Sequence, residues 1–182
     1  MKEIYIPKFK QNVTIINIGE YFATNKNEGI ATVLGSCIST CIYEVGGGIG
    51  GMNHFLLPGD FRDEEIFISS TGRYGMWAME LLLGELIKLK VDRTRLRAKV
   101  FGGADLLVGS TSGIGQNNIK FIKTFLEMEK IPMENSDLGG KFARKIFFFP
   151  QSGKVMVKKI VQDLTRISTL ETSYRERINM EL

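Results

Sequence analysis

Three consecutive glycines, Gly46–Gly48, separate two apolar runs, Ile38–Tyr43 and Ile49–Leu57. The first run is rich in β-branched residues, and the second is stopped by Pro58-Gly59. Residues of this kind favour a pleated strand, and a glycine turn lets the chain reverse. The pattern predicts a β-hairpin turning at Gly46–Gly48. Counting outward from Gly47, Cys37 lies further from the turn than His54, so a bulge of one or two residues would bring them side by side.

Further strands are expected at Val13–Ile18, Ile30–Leu34, Arg97–Phe101, Lys145–Phe149 and Lys154–Ile160. Pro150-Gln-Ser-Gly153 suits a tight turn between the last two. The polar stretch up to Ser70 reads as a loop. Two helices are expected. The first runs from about Gly72 to Lys90, with an apolar stripe of Tyr74, Trp77, Ala78, Leu81, Leu82, Leu86 and Leu89. Ser69, Ser70 or Thr71 can cap it. The second runs from about Gln116 to Lys130, carries Ile119, Ile122, Phe125 and Leu126, and has Asn117 as a candidate cap. Strands outnumber helices and do not alternate with them, which predicts an α+β domain with two main helices packed on a β-rich mixed-sheet core. After Val161 a charged tail carries Leu164, Ile167, Leu170, Tyr174 and Ile178 at helical spacing. It can dock on the domain, bind a partner or fray.

The chain has 182 residues, one histidine, two cysteines and a formal charge of +4. No apolar run reaches the roughly 18 residues that a membrane-spanning helix needs. Residues 1–10 lack the apolar core of a secretory signal, so a cytoplasmic location is expected. Lysine and arginine cluster at 88–99, 141–145 and 154–159. They read as solvated faces, and more weakly as a surface for an acidic partner. No nucleic-acid motif accompanies them.

The scarcity of cysteine and histidine narrows the chemistry. On a strand, Cys37 and Cys41 would lie about 13 Å apart, beyond the roughly 7 Å that a disulfide tolerates. Two cysteines at C-x3-C spacing and one histidine are a poor zinc set, so no metal or cofactor is expected. Cys41 sits in an apolar alternation and reads as a core residue. Cys37 follows Leu34-Gly35-Ser36, where a sharp turn can expose the thiol and aim successive N–H groups into one space. Such donors lower a thiol pKa and can hold an oxyanion. A structural cysteine at a tight turn fits the same residues. Any cysteine–histidine mechanism must use His54. Thr32, Ser36, Ser39 and Asn53 are local candidates to orient its ring. The Gly46–Gly51 stretch lacks the Gly-Lys-Ser/Thr ending of a phosphate loop.

Taken together, the motifs resemble those of the CheD family. Ile18-Gly-Glu20, Thr32-Val-Leu-Gly-Ser-Cys37, Gly50-Gly-Met-Asn-His-Phe-Leu-Leu-Pro58, Arg73-Tyr-Gly75, Lys99-Val-Phe-Gly-Gly-Ala104, Asp137-Leu-Gly-Gly140 and Phe148-Phe-Pro150 occur in the family's order and approximate spacing. The match spans about residues 13 to 160. It divides the chain into a deamidase domain at 1–160 and an extension at 161–182.

The resemblance implies an amidohydrolase that converts selected glutamines on chemoreceptor helices to glutamate, with a fold similar to bacterial deamidating toxins. It implies Cys37 as nucleophile and His54 as base. The family's third residue is a threonine shortly before the cysteine. Six residues before it this chain has Ala31, and five before it has Thr32. Neighbours on a strand face opposite sides, and only Thr32 has a polar atom to offer the imidazole, so Thr32 is the expected third member. The resemblance also implies a CheC-type phosphatase as a possible partner. A peptidase or transglutaminase-like enzyme, or a non-enzymatic adaptor, would use some of the same features.

Overall fold

The computed structural model describes residues 1–62, 65–106 and 113–181. Among the described residues, ten strands form two five-stranded sheets. The first sheet, in the order β1-β2-β4-β9-β10, contains Lys2–Ile6, Gln11–Ile15, Gly29–Leu34, Ala143–Phe149 and Lys154–Ile160. The second, in the order β3-β6-β5-β7-β8, contains Tyr21–Thr24, Gly50–Asn53, Ile38–Glu44, Leu96–Gly102 and Met133–Leu138. The β2–β4 and β7–β8 pairs are parallel and the other pairs antiparallel. Helices α1 (Ser70–Lys88), α2 (Ile114–Met128) and α3 (Leu164–Glu181) complete an α+β fold.

Side-chain alternation divides the core into two layers. Ile38 and Ile42 of β5, with Leu96, Ala98 and Val100 of β7, pack against α1 and α2. From the opposite face of that sheet, Cys37, Cys41, Tyr43 and Phe101 meet Ile30, Leu34, Ile146 and Phe148 of the first sheet. Strand β5 is buried along its whole length because it has a core on each side.

The hairpin expected around Gly46–Gly48 is present. Cys41 pairs with Met52, Ile42 with Gly51 and Tyr43 with Gly50, and an isolated bridge joins Ile38 to Phe55. This register is uninterrupted, so the expected bulge is absent. The second strand is also shorter than Ile49–Leu57, because beyond Asn53 the backbone of His54 pairs elsewhere. Strands β1, β3 and β8 were not expected from the sequence. Of the loop read up to Ser70, residues 63–64 lie outside the described residues.

Both expected helices form, shifted slightly towards the N-terminus. Ser69 caps α1 by accepting the N–H of Gly72 at 3.1 Å. The buried stripe of α1 runs through Gly75, Met79, Leu82 and Leu86, whereas Trp77 is 53% exposed. Gly75, Met79, Leu82 and Leu86, at successive spacings of four, three and four, fall on one side of the helix, and Tyr74 and Trp77 lie off that side. The stripe expected for α2 is buried. Its N-cap is Gly113, in the left-handed conformation, and not Asn117.

The end of β7 runs directly beside the start of β5, with Gly102 paired to Ile38. Gly102 has φ +113°, and a Cβ there would stand 2.0 Å from the carbonyl oxygen of Cys37. Gly103 and Ala104 then donate their N–H groups to the carbonyls of Cys37 and Gly35, each at 2.8 Å. Gly102→Ala should therefore cost about 2 kcal/mol or more. Urea unfolding at pH 7 measures this, and an unchanged midpoint would contradict the packing described.

Candidate functional site

The site lies where the chain leaves the first sheet for the second. Strand β4 ends at Leu34 and β5 begins at Ile38, so Gly35-Ser36-Cys37 bridges the two layers. The N–H groups of these three residues all point at the carboxylate of Glu171 from α3, those of Gly35 and Cys37 at Oε1 and that of Ser36 at Oε2. Gly35 donates at 2.9 Å, Ser36 at 2.8 Å and Cys37 at 3.3 Å, and the Ser36 hydroxyl adds a bond of 2.6 Å. Gly35 is required for this approach, since a Cβ would stand 2.8 and 2.9 Å from the two carboxylate oxygens. Three successive donors of this kind make an anion-binding nest.

Two backbone hydrogen bonds, each of 2.9 Å, tie Ile38 to Phe55. Ile38 and Phe55 face the helices. Cys37 and His54 therefore project from the opposite face, towards the first sheet. Extending the register places Cys37 across from Leu56, and His54 across from Ser39. The thiol and imidazole are thus diagonal neighbours, with Cα atoms about 7–8 Å apart and Cβ atoms somewhat closer.

The backbone of His54 bonds to the segment before β3. Its N–H donates to the carbonyl of Glu20 at 2.9 Å, and its carbonyl accepts from Gly19 at 2.7 Å. The ring reaches the first sheet, where Nδ1 lies 2.7 Å from Oγ1 of Thr32. That hydroxyl also lies 2.8 Å from the carbonyl of Ile16. A carbonyl can only accept, so the hydroxyl proton goes to Ile16 and Nδ1–H donates to Thr32. Nε2 is then left with a lone pair and has no hydrogen-bond partner among the described residues. Burial lowers the imidazole pKa to about 4, outweighing the raising effects of Glu171 and Glu20. The ring is neutral at pH 7.

Of the four polar candidates for orienting the ring, the structure brings Thr32 to it. Ala31 points to the other face of β4, because Ile30 and Leu34 share the Thr32 face. Asn53 is engaged with the N–H of Thr40 at 3.0 Å and the carbonyl of Ala78 at 3.3 Å. Ser39 donates to the carbonyl of Asn53 at 2.6 Å, and Ser36 donates to Glu171.

Cys37 is fully buried, against the expectation of a partly exposed thiol. The thiol packs in the layer between the sheets, and the tail after Val161 forms α3 and docks over the turn through Glu171. Burial and, next, the negative charge of Glu171 raise the Cys37 thiol well above its usual range. Cys41 is buried between the sheets, and burial pushes its thiol up too. Among the described residues no group of three or more His, Cys, Asp or Glu side chains could hold a metal ion.

Two residues of the site escaped sequence reasoning. Asn118 of α2 is fully buried, donates to the carbonyl of Ser36 at 2.9 Å and accepts the N–H of Leu57 at 2.9 Å. It thereby clamps the cysteine turn to the chain that follows His54. Glu171 is the other. Both signals were visible: Asn118 is a polar residue one turn before Ile122 in an apolar stripe, and Glu171 stands between Ile167 and Tyr174 in another.

A buried thiol and an imidazole of fixed tautomer share one face beside a nest of backbone donors. These are the residue types that cysteine-dependent acyl transfer uses, here with the donors filled by Glu171. Comparison with known proteins narrows the class. The sequence model of CheD, described as CheD chemotactic sensory transduction, matches residues 56–159. A relative from Laribacter hongkongensis (strain HLHK9), named probable chemoreceptor glutamine deamidase CheD, is 44% identical over 172 residues, covering 93% of this chain and 84% of its own. One from Shewanella oneidensis, named probable chemoreceptor glutamine deamidase CheD 1, is 45% identical over 177 residues, covering 96% and 85%. A third, from Thiobacillus denitrificans (strain ATCC 25259 / T1), bears the same name as the first and is 46% identical over 145 residues, covering 79% and 72%. The chain belongs to the CheD family.

Because His54 is the only histidine, its ring can be observed without ambiguity. Nitrogen NMR of the protein labelled at histidine should show protonated Nδ1 and unprotonated Nε2 at pH 7. The folded-state pKa of about 4 lies below the usual 6.5. The unfolded chain therefore gains a proton first as pH falls, so this contribution to stability is complete above pH 6.5 and is lost towards pH 4. The loss is on the order of 3 kcal/mol. Urea unfolding across that range, compared with His54→Gln, measures it. A His54 that titrates near 6.5 in the folded protein would contradict the assignment.

Proposed function

We propose that this chain is a chemoreceptor glutamine deamidase acting in chemotaxis signalling. It hydrolyses selected glutamine side chains on receptor helices to glutamate and ammonia. Cys37 is the nucleophile, His54 the general base and acid, and Thr32 the positioning residue that holds the ring tautomer. The observation that carries the reading is the Thr32–His54 hydrogen bond, because it fixes the tautomer in which Nε2 keeps its lone pair, with no partner among the described residues.

In the first step Nε2 takes the thiol proton as Sγ attacks the carboxamide carbon. The N–H groups of Gly35 and Cys37, which share one oxygen of Glu171 at rest, receive the negative oxygen. The imidazolium then gives its proton to the amide nitrogen, the C–N bond breaks and ammonia leaves a thioester. Water, deprotonated by His54, attacks that thioester. The C–S bond breaks, and glutamate and the thiol are released. One water is consumed for each ammonia formed. With both partners neutral at rest, proton transfer accompanies attack instead of preceding it.

The catalytic unit is residues 1–160, with 161–182 as an extension, in a fold like that of bacterial deamidating toxins. The protein works in the cytoplasm, consistent with the absence of any helix among the described residues long and apolar enough to cross a membrane. Its +4 charge suits acidic receptor helices, and a CheC-type phosphatase is a candidate partner.

Mass spectrometry of a receptor cytoplasmic domain after incubation should show glutamine-to-glutamate conversion without peptide cleavage or amine incorporation. Cys37→Ala and His54→Ala should each abolish it while the fold persists. Thr32→Ala should slow it by up to about 100-fold, the lower end of acid–base contributions. Cys41→Ala should keep activity and cost about 1 kcal/mol of stability. Full activity in His54→Ala would end this mechanism, since the chain has no second histidine.

A further inference from the structure

The donors that would hold the oxyanion are already occupied, and by a carboxylate of the kind the reaction would produce. Glu171 is 5% exposed and receives all three N–H groups of the Gly35–Cys37 turn. Its side chain is the glutamate that hydrolysis of a glutamine yields, presented from a helix. α3 lies between two cavities. One is lined by Thr32, His54 and, from α3, Ile167, Leu170 and Tyr174. The other is lined by Ser36, Leu56 and, from α3, Ser168 and Arg175. Further contacts fix the helix in this channel. Tyr174 shares a 2.6 Å hydrogen bond with Tyr74 of α1, and Asn179 donates to the carbonyl of Pro58 at 2.9 Å.

We infer that the channel beneath α3 is the docking groove for a helical substrate segment, that α3 is its tethered occupant, and that Glu171 sits where the product carboxylate sits. The inference rests on the acyl-transfer reading of Cys37 and adds the binding geometry. A target glutamine enters from a helix lying along the α3 path. Its carbonyl oxygen takes the place of a Glu171 oxygen at the nest, and its flanking apolar residues take the places of Ile167, Leu170 and Tyr174. α3 must leave before such a helix can bind. While it stays, it fills the nest and sets a negative charge beside the thiol.

The test uses the full chain with one side chain altered. In Glu171→Gln, position 171 presents a carboxamide to Cys37 in the position of a substrate. Peptide mass analysis should show that amide converting to the acid, at a rate independent of protein concentration. The conversion should be absent from the double variant that also carries Cys37→Ala. An amide that persists in a protein able to deamidate receptor would overturn the inference while leaving the proposed function intact. If receptor is untouched as well, the proposed function falls, and a second readout decides occupancy without any turnover. Iodoacetamide should alkylate Cys37 roughly tenfold faster or more in folded Glu171→Ala than in the unaltered protein, because the thiol gains access and loses a negative neighbour. Equal rates in the two proteins would show that α3 does not occupy the site.

Discussion

His54 is held between two sheets, and the rest of the site depends on that suspension. Its backbone is fixed within the second sheet's layer by Gly19 and Glu20, and its Nδ1 is fixed by Thr32 on the first sheet. Thr32 can serve because Ile16 takes the hydroxyl proton, which leaves the oxygen free to accept. One carbonyl thus determines which ring nitrogen is basic. The two-layer core holds this geometry, since Leu34, Ile146 and Phe148 keep the first sheet against Cys41 and Met52 of the second. A displacement of either sheet would break the hydrogen bond before it disturbed the backbone around the cysteine.

Burial makes the site quiet at rest. It raises the thiol, lowers the imidazole and so favours the neutral form of each. Glu171 pushes the thiol up further and also raises the imidazole, against the effect of burial. If α3 left, Cys37 would lose both a desolvating cover and a negative neighbour, and its pKa would fall. The imidazole would regain solvent. Both effects of solvent access bring proton transfer from Cys37 to His54 closer to balance. Under the proposed roles, the movement that admits a substrate would also prime Cys37.

Much of this was legible in the sequence. The glycine triplet and its flanking β-branched runs located the hairpin, and strand alternation distinguished Thr32 from Ala31. The register was not legible, because side-chain pattern fixes faces and not offsets: Cys37 and His54 share a face as diagonal neighbours, without the bulge that a direct pairing would need. The three unexpected strands are all sheet edges. Edge strands bury little, so their apolar pattern is weak; Met133–Leu138, with sequence MENSDL, is exposed over its first four residues. The cover over Cys37 was hidden for a different reason. The tail stripe announced a helix, but no local pattern reveals which surface a helix will choose.

The central claim, that Cys37 attacks a helix-borne glutamine carboxamide, can be tested by covalent capture. A receptor-helix peptide with an electrophilic ketone in place of the target carboxamide would be incubated with the protein and the adduct mapped by peptide mass analysis. A single adduct on Cys37 is expected, lost in His54→Ala and suppressed by an excess of the glutamate-containing product peptide. An adduct on Cys41, or a Cys37→Ala protein that still deamidates receptor, would contradict it.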